Sequence, residues 1–331
     1  MDPEFRPGLC FPLNIDHDKG SLVLSNDTER ITLTGIDPSL GGRVIEMLNR
    51  RKTVREVLLT FNNDPDNVSK FIETLISEKI VTAAPCCYTG AQISSLLQSF
   101  FSTWNDLLFS HPLWRSLADG KAPTPVLDGW LVETYFFIRG ANARLSYAAS
   151  QTSDLRVRGI LVGHYVEEFD HYKFFAESLR CRGIDPAAVD RLGPLLSTSA
   201  VINMARRAAR LDYLAYAACS GLLESTGSDS TRARLFYNKL AANYDHIGSG
   251  FVEPMLRHVA LDDAYQHGSV MSDIFNPIQR IEPERADRII ECAFQFKETL
   301  WLWFNDIHSY YHRYPFDGTK VHRHYRRNWA L

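Results

Sequence analysis

The chain has 331 residues, 45% hydrophobic and 23% charged, and its 36 Lys+Arg against 39 Asp+Glu give a net charge of −3. That length suits two domains, and the composition excludes a largely disordered chain, a collagen-like chain and a coiled-coil rod. The near-neutral balance predicts no nucleic-acid partner and no anionic membrane surface.

The longest apolar runs, such as Gly129–Ile138, fall well short of the roughly 20 residues a bilayer span needs. The acidic start Met1-Asp2-Pro3-Glu4-Phe5 lacks the form of a secretory signal, so a cytoplasmic location is expected. The six cysteines, Cys10, Cys86, Cys87, Cys181, Cys219 and Cys292, show no CxxC spacing. They are expected to be reduced thiols, not a disulfide frame or a zinc ribbon.

Residues 11–83 form the first expected domain. Leu22–Leu33 reads as strand, polar turn, strand. Asp37-Pro38 opens a helix through Leu48, and Thr53-Val54-Arg55-Glu56 has the form of a capping box. Val68, Phe71, Ile72, Leu75 and Ile76 lie at helical spacing within a helix over 66–79, and Ile80-Val81-Thr82 supplies a closing strand. This hairpin followed by short helices resembles a PqqD-like domain, a small winged-helix-type α+β module. The resemblance implies recognition of a peptide or partner along an edge strand; a structural appendage is the alternative. DNA binding is disfavoured, because Arg50-Arg51-Lys52 is the only basic cluster there.

After the linker Pro85–Gly90, residues 91–311 read as almost entirely helical. Helices are expected over 93–104, 129–149, 156–182, 197–224, 231–268 and 283–311. Residues 312–331 form a basic, aromatic tail.

The chemistry-bearing residues fall on these helices. Glu168-Phe169-Asp170-His171 places a carboxylate and an imidazole at i,i+3, and His164 shares their face at i,i+4 to Glu168 and i,i+7 to His171. Burying these groups beside Phe169, Phe174 and Phe175 is costly without compensation, and a metal supplies it. His258 and Asp262 form a second i,i+4 pair, His267 follows, and Glu224 lies at the end of the Ala-rich helix. Three carboxylates (Glu168, Glu224, Asp262) and three imidazoles (His171, His258, His267) on a helical scaffold suit iron or manganese. Glu133 is a lone acid in an apolar helix, either near substrate or metal ligands or hydrogen-bonded in the core. His246 and Asp306-Ile307-His308 read as structural.

The order Glu-x-x-His, lone Glu, His-x-x-x-Asp and a later His resembles the heme-oxygenase-like diiron oxidase and oxygenase family. These proteins share a mainly α, seven-helix fold with the PqqC and TenA proteins. The resemblance implies two Fe(II) ions with O2 as co-substrate. Glu168 and His171 hold one iron, His258 and Asp262 lie on the last ligand helix, Glu224 is the shared carboxylate and His267 the final ligand. Glu168 and Glu224 are the implied catalytic carboxylates. The family's last segment reads His-x-x-x-Asp-x-x-His, whereas Asp262 plus three is Tyr265. Either the helix bulges to bring in His267, or Asp263 pairs with His267, or the second iron site is weak.

The implied activity is N-oxygenation, desaturation or C–C cleavage of an amino acid or peptide-derived substrate in natural-product biosynthesis. An external electron donor and a homodimer are compatible with it. The alternatives are a cofactorless PqqC-like oxidase, a non-enzymatic peptide-binding protein and, more weakly, a TenA-like thiaminase, which requires a catalytic cysteine.

Overall fold

A computed structural model describes residues 7–9, 14–18, 21–25, 30–35, 37–49, 52–78, 80–83, 87–227, 230–265 and 269–314. The chain divides into two compact units, Met1–Cys87 and Tyr88–Leu331. The expected tail lies almost wholly outside the described residues, as do Cys10 and Cys86.

In the first unit, β1 (Pro7–Leu9) pairs antiparallel with β5 (Val81–Ala83). Strands β2 (Asn14–Asp18), β3 (Ser21–Ser25) and β4 (Arg30–Leu33) form an antiparallel sheet in that order. The expected hairpin is β3–β4, with Leu22 opposite Leu33 and Ser25 opposite Arg30. Strands β1 and β2 were not expected, since Asn14-Ile15-Asp16-His17-Asp18 carries one apolar residue and shows no alternation.

Helices α1 (Pro38–Asn49), α2 (Val54–Thr60) and α3 (Pro65–Ser77) follow. The capping box forms: Thr53 Oγ1 accepts from Glu56 N at 3.1 Å and Glu56 Oε2 from Thr53 N at 2.7 Å. Leu22, Leu24, Ile45, Leu48, Val57, Ile72 and Leu75 are fully buried together in this unit's core.

The second unit is helical. Its elements are α4 (Gly90–Phe109), α5 (Pro112–Ala118), α6 (Thr124–Arg139), α7 (Ala141–Gln151), α8 (Leu155–Glu168), α9 (Tyr172–Cys181) and α10 (Pro186–Leu192). They continue as α11 (Leu196–Leu211), α12 (Tyr213–Gly227), α13 (Ser230–Asn243), α14 (Val252–Tyr265), α15 (Val270–Phe275) and α16 (Pro283–Arg313). Among the described residues no helix is long and apolar enough to cross a membrane.

Four of the expected long helices are broken. At Gly140 a Cβ would meet Ile202 Cδ1 at 2.6 Å, so α11 approaches the α6–α7 joint closely. At Asp212 the backbone is extended, and the carboxylate accepts from Leu214 N at 2.9 Å while pairing with Arg285. Residues 244–251 turn through two short 3-10 segments with Gly248 at φ +85°. The fourth break, between α8 and α9, shapes the site described below. The breaks at Gly140 and Asp212 accompany tertiary contacts that apolar periodicity does not encode, and the break at 244–251 turns on the left-handed backbone of Gly248.

The long helix α16 packs along α6, α11 and α12. Gly129 on α6 lies against the fully buried ring of Tyr311, where a Cβ would sit 2.1 Å from Cγ. Gly129→Ala is expected to destabilise the protein by ~1–3 kcal/mol through overpacking. Denaturant unfolding measures this as a lowered midpoint at unchanged slope.

Candidate metal centre

The α8–α9 break decides where His171 points. His171 N–H donates to Glu168 O at 3.3 Å, an i→i+3 contact that tightens the chain where α8 ends. Phe169 O is released from the ladder and accepts from Asn142 Nδ2 of α7 at 3.0 Å. Glu-x-x-His therefore spans a tightened turn and not the middle of a helix. His171 is completely buried, with Nδ1 3.0 Å from Glu168 Oε1.

Helix α14 packs on α9 and brings its i,i+4 pair to the same place. His258 Nδ1 lies 3.1 Å from Asp262 Oδ2, and Asp262 Oδ1 lies 3.4 Å from His171 Nδ1. The two imidazole rings are 4.8 Å apart and nearly perpendicular. Ligand atoms of His171, His258 and Asp262 all lie within 4.8 Å of one another. Phe174 and Phe175 meet the His258 ring edge-on and wall this side with apolar surface.

Glu224 on α12 approaches from another side. Its Oε1 lies 3.6 Å from Nε2 of His164, whose side chain is 2% exposed. Beside it, Ser225 Oγ accepts from Asn105 Nδ2 at 3.1 Å and ties the end of α12 to α4.

The electrostatics describe crowded acids. Burial, with Glu168 close by, pushes Asp262 up to about 7. Burial, with Glu168 and Asp262, holds Glu224 well above the usual carboxylate range, and Arg144 is the cation that opposes this. Burial acts to lower the His171 imidazole, but Glu168, Asp262 and Asp170 together outweigh it and leave the ring above its usual value. A cation among Glu168, Glu224 and Asp262 would relieve this repulsion.

The donor set fits such a cation. Oxygen and nitrogen ligands bonded to a divalent metal at ~2.1 Å sit ~3.0–3.4 Å apart along the edges of a tetrahedral or octahedral shell. The separations around His171 and Asp262 are 3.0, 3.1 and 3.4 Å. His171 Nδ1 faces two carboxylates, whereas one N–H donates well to only one.

Of the expected ligands, Glu168, His171, Glu224, His258 and Asp262 are brought together. His267 lies outside the described residues. Asp263 faces outward and pairs with Arg234 at 3.0 Å, so it is not part of this cluster. Glu133 is a core acid: Tyr311 Oη and Thr198 Oγ1 donate to it at 2.5 Å and Leu195 N at 3.1 Å, and burial raises it to about 7. His246 stacks beside Tyr244, and Asp306 accepts from Ser197 at 2.6 Å.

His164 was on the right face by its i,i+7 spacing to His171 but was not among the expected ligands. Arg144 and Asn142 gave no signal, because an Arg and an Asn within a helix usually face solvent.

A profile of the TENA/THI-4/PQQC family matches residues 100–303. The chain belongs to this family. Among solved structures, it is similar to a domain of unknown function with a heme oxygenase-like fold from Shewanella denitrificans OS217, at TM-score 0.57 and 15% identity, covering 69% of this chain and 96% of that one. A TenA homolog from Pseudomonas syringae pv. tomato DC3000 gives TM-score 0.52 at 9% identity over 65% and 92%. The TenA homologue from P. horikoshii OT3 gives 0.51 at 14% over 65% and 97%. These likenesses establish a heme-oxygenase-like fold for the helical unit. No curated protein matches the chain significantly.

The raised groups fix the sign of a pH effect. Asp262 binds a proton near pH 7 when folded but only near 4 when unfolded, so between those values the folded state holds more protons and stability falls as pH rises. Glu224 and His171, both raised, act in the same direction. For metal-free protein, Asp262→Asn is expected to flatten the fall in Tm between pH 5 and 8. An unchanged slope would show that Asp262 is not held among other acids.

Proposed function

We propose that the helical unit is an O2-dependent nonheme diiron oxidase or oxygenase acting on an amino acid or peptide-derived substrate, in a cytoplasmic natural-product pathway. The observation that carries this reading is the convergence of Glu168, His171, His258 and Asp262 at ligand-shell separations inside a helical core. Two Fe(II) ions suit the mixed carboxylate and imidazole donors. One would be held by His171, His258 and Asp262 with Glu168, the other by Glu224 and His164 with the neighbouring acids. Bound iron supplies the redox chemistry that O2 requires, with an external donor providing electrons.

The chain's own residues do the rest. Glu168 and Glu224 place negative charge where cations must sit, and Arg144 limits their mutual repulsion. The tightened turn and Asn142 fix the direction of the His171 ring. Phe174 and Phe175 cover one side of the His258 ring with apolar surface. The N-terminal unit, read as PqqD-like, would engage a peptide segment along an edge of the β2–β3–β4 sheet.

Two of the six thiols are unsuited to the thiaminase reading. Cys219 and Cys292 are buried and burial raises both, the opposite of what a nucleophilic cysteine needs.

Anaerobic loading with Fe(II) followed by metal analysis tests the proposal. Wild type is expected to hold about two irons per chain and to consume O2. His171→Ala is expected to lose most bound iron, and Glu224→Ala about half. Wild-type protein that consumes O2 with substrate after exhaustive chelation would favour the cofactorless alternative.

A further inference from the structure

A cavity of about 590 Å³ opens beside the candidate metal centre, with His258 and Asp262 in its wall. That volume lies within the range of small-molecule sites, ~300–1,000 Å³. Its body is aromatic: Trp114, Trp130, Phe137, Phe236, Trp303 and Phe304 all line it. Several of these rings already meet edge to face, Trp114 with Trp130 at 6.2 Å, with Phe236 at 5.5 Å and with Phe304 at 5.0 Å. A further planar ring extends that arrangement favourably. The charged residues lining the cavity, apart from Asp262, are Arg115, Asp119, Arg232 and Lys239, all solvent-exposed. Arg232 is paired with Asp106 at 3.2 Å and Asp119 with Lys121 at 3.1 Å, so Arg115 and Lys239 are the cations that make this rim attractive to an anion, and the exposed ends of their side chains place the charge at the mouth.

We propose that this cavity binds an amphipathic carboxylate with a ring-bearing apolar body, an aromatic amino acid being one member of the class, and that the body enters first. The carboxylate stays at the rim with Arg115 and Lys239, and the ring occupies the aromatic interior. This orientation puts carbons of the apolar body, not the groups beside the carboxylate, nearest His258 and Asp262. The inference rests on the proposed metal centre only for which end of the ligand reacts; the binding mode stands on the cavity alone.

Metal-free full-length protein tests it, through the intrinsic fluorescence of Trp114, Trp130 and Trp303. The probes are 4-phenylbutyrate, octanoate and the primary amide of each. Saturable change is expected with 4-phenylbutyrate, at lower Kd than with octanoate and at least about threefold lower than with its own amide. The Arg115→Glu/Lys239→Glu double variant, altered only at exposed positions, is expected to weaken the acid about tenfold and leave the amide unchanged, with an unaltered circular dichroism spectrum. An amide that binds as well as its acid, octanoate that binds tighter than the ring-bearing acid, or a double variant with unchanged affinity would overturn the proposal. None of these results depends on iron, so they leave the metal assignment to its own test.

Discussion

Three carboxylates crowded together in a largely buried cluster are the constraint on which the helical unit turns. Glu168, Glu224 and Asp262 come from α8, α12 and α14; Glu168 raises the proton affinity of both others, and Asp262 that of Glu224. A fold gains nothing by gathering like charges in a low-dielectric interior unless something positive is meant to share the space. Arg144 is one such charge, but it opposes only part of the cost at Glu224. The imidazoles of His171 and His258 lie 3.0 and 3.1 Å from their carboxylates, and His164 3.6 Å from Glu224, which gives a mixed oxygen and nitrogen donor set of the kind a divalent metal takes.

The scaffold produces this crowding through interruptions. A continuous helix from 156 to 182 would keep His171 on the register of α8. The turn at 169–171, held by Asn142, starts α9 as a separate helix that packs on α14. Close approaches at Gly129 and Gly221 bring α16 against α6 and α15 against α12, so the helix bearing Glu224 is fixed from behind. The aromatic cavity has His258 and Asp262 in its lining. One pair of side chains thus borders both the acid cluster and the space for a ligand.

Much of this was legible in the sequence because helices write their buried faces at a period of 3.6 residues. The capping box at Thr53 and Glu56, the hairpin around Leu22 and Leu33, and the helical character of 91–311 follow from local rules. Glu168, His171, His258 and Asp262 were legible as i,i+3 and i,i+4 pairs. The helix breaks at Gly140 and Asp212 were not, because a close approach to Ile202 and an ion pair to Arg285 come from segments distant in sequence. His164 carried a usable signal, its seven-residue spacing to His171, yet its nearness to Glu224 depends on how α8 meets α12. Asp263 shows the converse: adjacent to Asp262 in sequence, it is turned outward to Arg234.

Anomalous diffraction at the iron edge, from crystals of the full chain loaded anaerobically with Fe(II), bears most directly on the central claim. The account predicts one peak within bonding distance of His171, His258 and Asp262 and a second beside Glu224 and His164. Maps without iron there, in which Glu168 and Asp262 instead share protons with His171 and His258 at unchanged positions, would contradict it.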